Sequence, residues 1–365
     1  MKLKYIGHFF GWLLLGGNAL LAALMLLCAY SPYIDPTEHP VLSCTGLAFP
    51  IFLLLNILFL LFWLLFYRKY ALLSLISMVA CAGQIRDYIP INTPTKEIPD
   101  DAFKILSYNV MAYDHDKPHK ADAPNEVVNY LANSNADIIC TQEAILNKSN
   151  NSKFLNEQSV KDALSVYPYH THHQESNNGW DCFSRYPILS AKKINYTSKS
   201  NGSMAYEILL GTDTLLLINN HLESNKLTTD DKEIYHDMIV APEKEKVKNA
   251  SRLLLGKITD AAAIRGPQAD SIAKFIRETP HRYIVVCGDF NDSPISYAHR
   301  VISAQLNDAF VSSGNGLGIS YNRNGFYFRI DHILNSNNFE TYNCTVDKSI
   351  KASDHYPIWC YLKKQ

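Results

Sequence analysis

The chain has 365 residues, with 34 Lys/Arg against 35 Asp/Glu and 47% hydrophobic residues. That length exceeds one small domain and suits a globular domain joined to something else. The first 89 residues hold five Lys/Arg and three Asp/Glu, so the rest has 29 against 32, a net of −3. This argues against a surface devoted to gripping many phosphates, which shows as a basic surplus.

Three apolar runs come first. Residues 9–30 contain no charge and end at "SPYIDP"; residues 47–67 are as long and more apolar. A hydrocarbon core needs about 20 apolar residues as helix, so each is long enough to span it. The third run, 70–89, is less apolar and carries Ser74, Ser77 and Gln84. A cleaved signal peptide is the alternative for the first run, but its apolar stretch is long for that role. The expectation is an anchor, residues 1–89, with about three transmembrane helices in a lipid bilayer.

Orientation follows the Lys/Arg bias of short loops. Lys2 and Lys4 precede the first run, and Arg68 and Lys69 follow the second. Loop 31–46 has only Asp35 and Glu38. The N-terminus is therefore expected inside and loop 31–46 outside. If the third run spans, all later residues lie outside, which is periplasmic for a bacterial inner membrane. If it lies on the surface, they lie inside.

"IPINTPTKEIPD" (89–100) reads as a Pro-rich linker, so 90–100 separates the anchor from a domain over 101–365. There "FKILSYNV" (103–110) reads as a strand. "PNEVVNYLANSN" (124–135) reads as a helix, "ADIICTQE" (136–143) as a strand and 153–166 as a helix. "GWDCFSRYPILSAKKINY" and "YEILLGTDTLLLINNHL" read as strands, the second split by a Gly-Thr-Asp turn. Residues 243–278 read as helix, and "YIVVCGDF", "FYFRIDHIL" and "HYPIWCYL" as strands. This mixture gives an α/β fold with two packed sheets.

Several features invite a bland reading. Eight Cys without a CxxC give no zinc ribbon, and Cys140 and Cys287 read as small buried hydrophobes. His170, His172 and His173 in "YHTHHQE" lack a fixed partner set and are expected on a solvated loop. "RGPQA" (265–269) is expected to dock its helix, with Arg265 supporting a site. The charged insertion 224–248 follows a strand end, where a lid or recognition loop sits.

The chemistry-bearing pattern lies at strand ends. Asn109 ends "SYN", Glu143 ends "TQE", and Asn220 and His221 follow "LLLI". "GDFND" places Asp289 and Asn291 after an apolar strand. Asp331 sits in "RIDHIL", and Asp354 and His355 precede the last strand. One such group is a capped turn; six in one domain indicate convergence at one edge. Oxygen ligands such as Asn and Glu suit Mg²⁺ or Mn²⁺. A His with an Asp partner makes an acid/base group. Together they describe metal-assisted hydrolysis of a phosphate ester. His332 is expected to face away from Asp331, since neighbours in a strand alternate faces.

The ordered blocks SYNV, QE, SRYPI, NHL, GDFN, RIDHI and SDHYP resemble the endonuclease/exonuclease/phosphatase (DNase I-like) superfamily over residues 100–365. The resemblance implies a four-layer αββα sandwich behind the transmembrane helices, and a Mg²⁺- or Mn²⁺-dependent phosphoesterase. It implies metal ligation by Asn109 and Glu143, with Asp354 assisting. Asp289 would align or deprotonate water, and Asn291 would contact the phosphate. His355, oriented by Asp331, would serve as acid/base. His221 matches a second His of several branches, and Arg185 and Arg329 are candidates for reaching phosphate. Two substrate classes remain, nucleic acid and lipid headgroup. A catalytically silent membrane adaptor would predict a broken set, and the set is complete. No protein partner is expected.

Overall fold

The computed structural model describes residues 2–114, 125–146, 155–175, 178–240, 244–323 and 326–365. Among these described residues fourteen strands follow one another. The first seven are β1 (Phe103–Asn109), β2 (Ile138–Gln142), β3 (Tyr169–Glu175), β4 (Asn178–Ser184), β5 (Ile188–Ile194), β6 (Gly202–Leu210) and β7 (Asp213–His221). The others are β8 (Tyr283–Asp289), β9 (Asn307–Asp308), β10 (Tyr321–Arg323), β11 (Phe326–Phe328), β12 (Asp331–Asn335), β13 (Phe339–Val346) and β14 (Ile358–Lys364). One six-stranded sheet has the order β13-β14-β1-β2-β4-β3 and a second the order β5-β6-β7-β8-β12-β9; β10 and β11 form a separate hairpin.

The central strands are apolar throughout because both faces are covered. In β8, Tyr283, Val285 and Cys287 enter the core between the sheets. Ile284 and Val286 face the helices outside, among them Lys244–Glu278 and Tyr297–Ile302. In β1, Ile105 points inward, while Leu106 and Tyr108 pack under helices Glu126–Asn133 and Glu157–Ala163. The result is the αββα sandwich. Cys140 and Cys287 are buried in the inter-sheet core, and all eight cysteines are free.

Topology brings the polar strand ends together. The parallel pairs β1/β2 and β7/β8 lie at the middle of the two sheets. Their carboxyl ends lie at one edge of the sandwich. The antiparallel β12 starts there, with Asp331 opposite Asp289. Gly288 has φ +129°, and a Cβ on it would lie 2.0 Å from the Asn220 carbonyl oxygen. Only glycine allows β7 and β8 to close together one residue before Asp289.

The N-terminal unit has helices Lys2–Tyr30, Phe49–Phe66, Ala71–Ala80 and Ala82–Tyr88. The third apolar run is broken at Cys81, so two helices among the described residues are long and apolar enough to cross a membrane. The bundle exposes apolar side chains and buries a few polar ones among apolar residues such as Met25, Phe49 and Leu53. Leu20, Leu54, Leu58, Leu65 and Ile76 are exposed. In the interior Asn18 Oδ1 accepts from Trp63 Nε1 at 2.9 Å and Ser74 Oγ at 3.1 Å, while Asn18 Nδ2 donates to Asn56.

This unit docks on the sandwich. Ile295 joins the apolar cluster of Met25, Cys28, Phe49 and Cys81. Arg300 Nε donates to the Pro32 carbonyl at 2.7 Å. The expected linker is held as well: Asn92 Nδ2 donates to the carbonyls of Val311 and Gly314. Thr95 exchanges two hydrogen bonds with Asn343.

Candidate active site

Asn109, at the end of β1, donates through Nδ2 to Glu143 Oε1 and to Asp289 Oδ2, each at 3.1 Å. Glu143 follows β2 at φ +55° and Asn291 follows β8 at φ +52°. Both occupy the sparsely populated left-handed region, a form of strain common at functional sites. After Asn109 the chain makes a left-handed turn, Met111–Asp114, with four consecutive positive φ values. It is tied to β2 by Ala112 N–H donating to the Glu143 carbonyl.

His355 stands beside the same carboxylates. Its Nδ1 bonds Asp331 Oδ2 at 2.8 Å, and its Nε2 lies 3.6 Å from Asp289 Oδ2. Burial disfavours the imidazolium, but Asp331 and Asp289 outweigh it and hold the His355 pKa up at about 10. Burial pushes the Asp289 carboxyl up to about 6; Asp331 adds to this, and the imidazoles of His355 and His221 oppose it. His221 Nε2 lies 3.7 Å from both Glu143 and Asp289. Burial lowers its pKa and keeps it neutral. Asn178 Nδ2 donates to its Nδ1 at 2.8 Å, so the proton sits on Nε2 and points into the site.

Glu143, Asp289 and His355 line one cavity of about 270 Å³ together with Asn291 and Asp354, while Asn109, Asp331 and His221 touch these lining groups from behind. Asn291 Nδ2 donates to the Leu222 carbonyl, and its backbone N–H to Asp289 Oδ1 at 2.8 Å. The donor set is rich in oxygen, and Asp331 Oδ1 is buried without a partner. A site in which burial and neighbouring carboxylates push one carboxyl up to about 6 fits a hard divalent cation such as Mg²⁺.

Two expected residues lie elsewhere. Arg185 pairs with Asp137 at 3.4 Å, ahead of β2 and at the opposite edge of the sandwich. Arg329 is buried at the junction with the N-terminal unit. It donates to the Asp87 and Leu317 carbonyls and lies over the Phe310 ring. An arginine beside an SRYPI or RIDHI block carries no signal for which way it points. The "YHTHHQE" histidines are on strand β3 rather than a loop, and His170 and His172 both bond the buried Asp181. His332 does face away from Asp331.

The sequence did not single out Asn178. It lies on the other sheet from His221, so no spacing pattern connects them. Arg265 is nearer to what was expected: it is 2% exposed and lines the cavity. It pairs with Asp292 Oδ2 at 3.2 Å and donates to the Glu223 carbonyl and Asn225 Oδ1. It thereby clamps the 222–225 loop to the GDFND turn.

The model of the endonuclease/exonuclease/phosphatase family matches residues 106–355. The chain belongs to that family. It is accordingly a hydrolase of phosphate esters. A second model, described as a domain of unknown function, matches residues 11–88. No curated protein sequence matches. Among solved structures, ANGEL2, a 2′,3′-cyclic phosphatase, in complex with adenosine-2′,3′-vanadate, is 12% identical with a TM-score of 0.50. The match covers 74% of this chain and 99% of that one. A truncated TDP2 from Caenorhabditis elegans is 14% identical with a TM-score of 0.46, covering 72% and 97%. A family protein from Leptotrichia buccalis is 17% identical with a TM-score of 0.46, covering 72% and 100%. The ANGEL2 likeness supports the fold.

Proposed function

We propose that this family member is a membrane-anchored, divalent-metal-dependent phosphodiesterase that acts on lipid headgroups. The observation that carries the chemistry is a cavity lined by Glu143, Asp289, Asn291, Asp354 and His355, with Asn109 bonded to Glu143 and Asp289, and Asp331 bonded to His355. Asn109 and Glu143, with Asp354 assisting, would hold the cation, which supplies charge neutralisation at the phosphate.

The chain's own groups divide the remaining work. Asp289 aligns the attacking water and takes its proton; its raised pKa brings a carboxylate nearer to that task. His355, kept charged by Asp331, stabilises the developing charge and gives a proton to the leaving oxygen. His221 offers a fixed neutral Nε2–H to a non-bridging oxygen, with Asn178 setting the tautomer. Asn291 contacts the phosphate.

The lipid reading is supported by the cavity wall. Leu47, two residues before helix Phe49–Phe66, lines the cavity together with Leu227, Ile258, Phe326 and Phe328. An apolar wall to which the N-terminal unit contributes Leu47 suits acyl chains better than a polynucleotide, which asks for a basic groove with stacking faces. Anchoring is supported by leucines on the outer surface of the bundle, where a soluble bundle is polar, and by Asn18, Asn56 and Ser74 bonded to partners in its interior. Residues 71–88, though broken at Cys81, run back to the loop 31–46 end of the bundle, where Tyr30 donates to the Ala80 carbonyl and Arg300 of the catalytic domain to Pro32; with the Lys/Arg bias, this return supports a reading in which loop and domain both lie outside.

The test uses full-length protein in detergent with Mg²⁺ or EDTA. The substrates are sphingomyelin–phosphatidylcholine vesicles and supercoiled plasmid, with Asp289→Ala as control. Headgroup release that needs both Mg²⁺ and Asp289 is the expected result. Plasmid nicking with the same dependences and no headgroup release would replace the lipid reading with a nuclease.

A further inference from the structure

A second cluster lies behind the GDFND turn, on the face of β12 opposite Asp331. His299 Nε2 is 2.9 Å from Asp308 Oδ2, and His332 Nδ1 is 3.8 Å from the same oxygen. The three ligand atoms lie within 4.8 Å of one another, and all three residues are buried. We propose that His299, Asp308 and His332 form a structural Zn²⁺ site separate from the catalytic centre.

The argument rests on an unsatisfied contact. His332 Nε2 lies 3.1 Å from the Asp292 carbonyl, which can only accept, so the ring proton is on Nε2. His332 Nδ1 then presents a lone pair, and it has no partner although the side chain is fully buried. The group it faces is the Asp308 carboxylate, another acceptor. The unpartnered His332 Nδ1 faces this carboxylate, whose Oδ2 accepts from His299 Nε2 at 2.9 Å; a cation that displaces the His299 Nε2 proton would be held by all three groups. Tetrahedral bonds of about 2.0–2.1 Å separate ligand atoms by roughly 3.3 Å, so the observed spacings need little adjustment.

The choice of metal follows from the donors. Two imidazoles and one carboxylate suit Zn²⁺ rather than Mg²⁺, which prefers all-oxygen shells. The outer partners are those of ordered ligands. His332 is held by the Asp292 carbonyl, and Asp308 Oδ1 accepts from the N–H groups of Phe310 and Val311. His299 and Asp308 also line a cavity of about 290 Å³ between the sandwich and the N-terminal unit, which provides room for a fourth, water ligand. Zinc here braces the loop that carries Asp289 and Asn291. It joins that loop to helix Tyr297–Ile302, whose Arg300 holds Pro32.

The test strips full-length protein with EDTA, reloads it with Co²⁺ or Zn²⁺ and removes unbound ion by gel filtration. Zinc content and the visible Co²⁺ spectrum are then read. One retained equivalent with strong four-coordinate Co²⁺ absorption is expected in wild type and in Glu143→Gln, which weakens the catalytic ion site. His332→Gln, which preserves a donor to the Asp292 carbonyl, should retain none while its circular dichroism is unchanged. The site assignment is overturned if wild type shows only the weak spectrum of a six-coordinate oxygen site. It is equally overturned if folded His332→Gln keeps the strong one. Should that variant not fold, His299→Gln is read by the same criteria, and the wild-type spectrum decides on its own.

Discussion

Asp331→Asn is the sharpest perturbation of the proposed mechanism. The substitution keeps the shape and removes one charge beside His355, whose Nδ1 lies 2.8 Å from Asp331 Oδ2 in a buried setting. A buried hydrogen bond to a charged group contributes about 1.5–3 kcal/mol. The Asp331 carboxylate is also the chief reason that the His355 pKa stands at about 10 instead of being lowered by burial. Without it the His355 pKa falls, held up only by Asp289 and Asp354 against burial, and the charged fraction near neutral pH drops. Losing a general acid costs about 10²–10⁴ in rate. We expect kcat on a lipid or other alkyl phosphodiester to fall by about 10²–10³, with KM changed less than about threefold. Bis(p-nitrophenyl) phosphate, whose leaving group needs no protonation, should lose far less. The sign with pH follows. In wild type the charged His355 persists until pH approaches 10. In the variant the imidazole charges only at lower pH, so the alkyl-ester optimum should move to lower pH, bounded below by protonation of Asp289, whose pKa stands at about 6. Equal losses on both esters, or a pH profile identical to wild type, would remove His355 as the acid.

Further predictions concern stability and substrate. Gly288→Ala must relieve a 2.0 Å approach to the Asn220 carbonyl oxygen at φ +129°. A loss on the order of 3 kcal/mol is expected, seen as a melting temperature lowered by roughly 5–10 °C; a shift within 1 °C contradicts the strain argument. For His172→Gln the window is set by two shifts. Burial raises the Asp181 pKa, but bonds from His170 and His172 outweigh it and lower it overall. Its contribution is therefore present above about pH 4 and fades as pH falls. Burial lowers the His172 pKa, but Asp181 outweighs it and raises it, so that contribution is full below about pH 6.5 and fades as pH rises. Denaturant melts should show the variant losing about 1–2 kcal/mol near pH 5 and clearly less near pH 8.5; equal losses contradict the pair. Leu47→Glu should cut headgroup release from vesicles about tenfold while hydrolysis of the soluble p-nitrophenyl ester stays within about twofold. Equal effects on both would show that Leu47 does not meet the acyl chains.

The strands were legible because burial on both faces demands unbroken apolar runs, and "YIVVCGDF" and "LLLINNHL" show them. The residues at their ends were legible because carboxylates and imidazoles abutting such runs are costly unless partnered. The sequence therefore determined an α/β class with two packed sheets and, through the family resemblance of its ordered blocks, the αββα arrangement and the candidate set from Asn109 to His355. It did not determine which polar groups meet across the sandwich. Asn178 and His221 belong to different sheets, and only their packing brings them to 2.8 Å. Arg185 and Arg329 looked equally suited to a phosphate, yet side-chain direction depends on which neighbours surround the strand, and both turn to other partners. The His299, Asp308 and His332 cluster is likewise a product of tertiary contact between a helix and two strands. Hydrophobic periodicity is a local property and is written along the chain. The pairing of polar side chains is a long-range one, and it exists only once the sheets have packed.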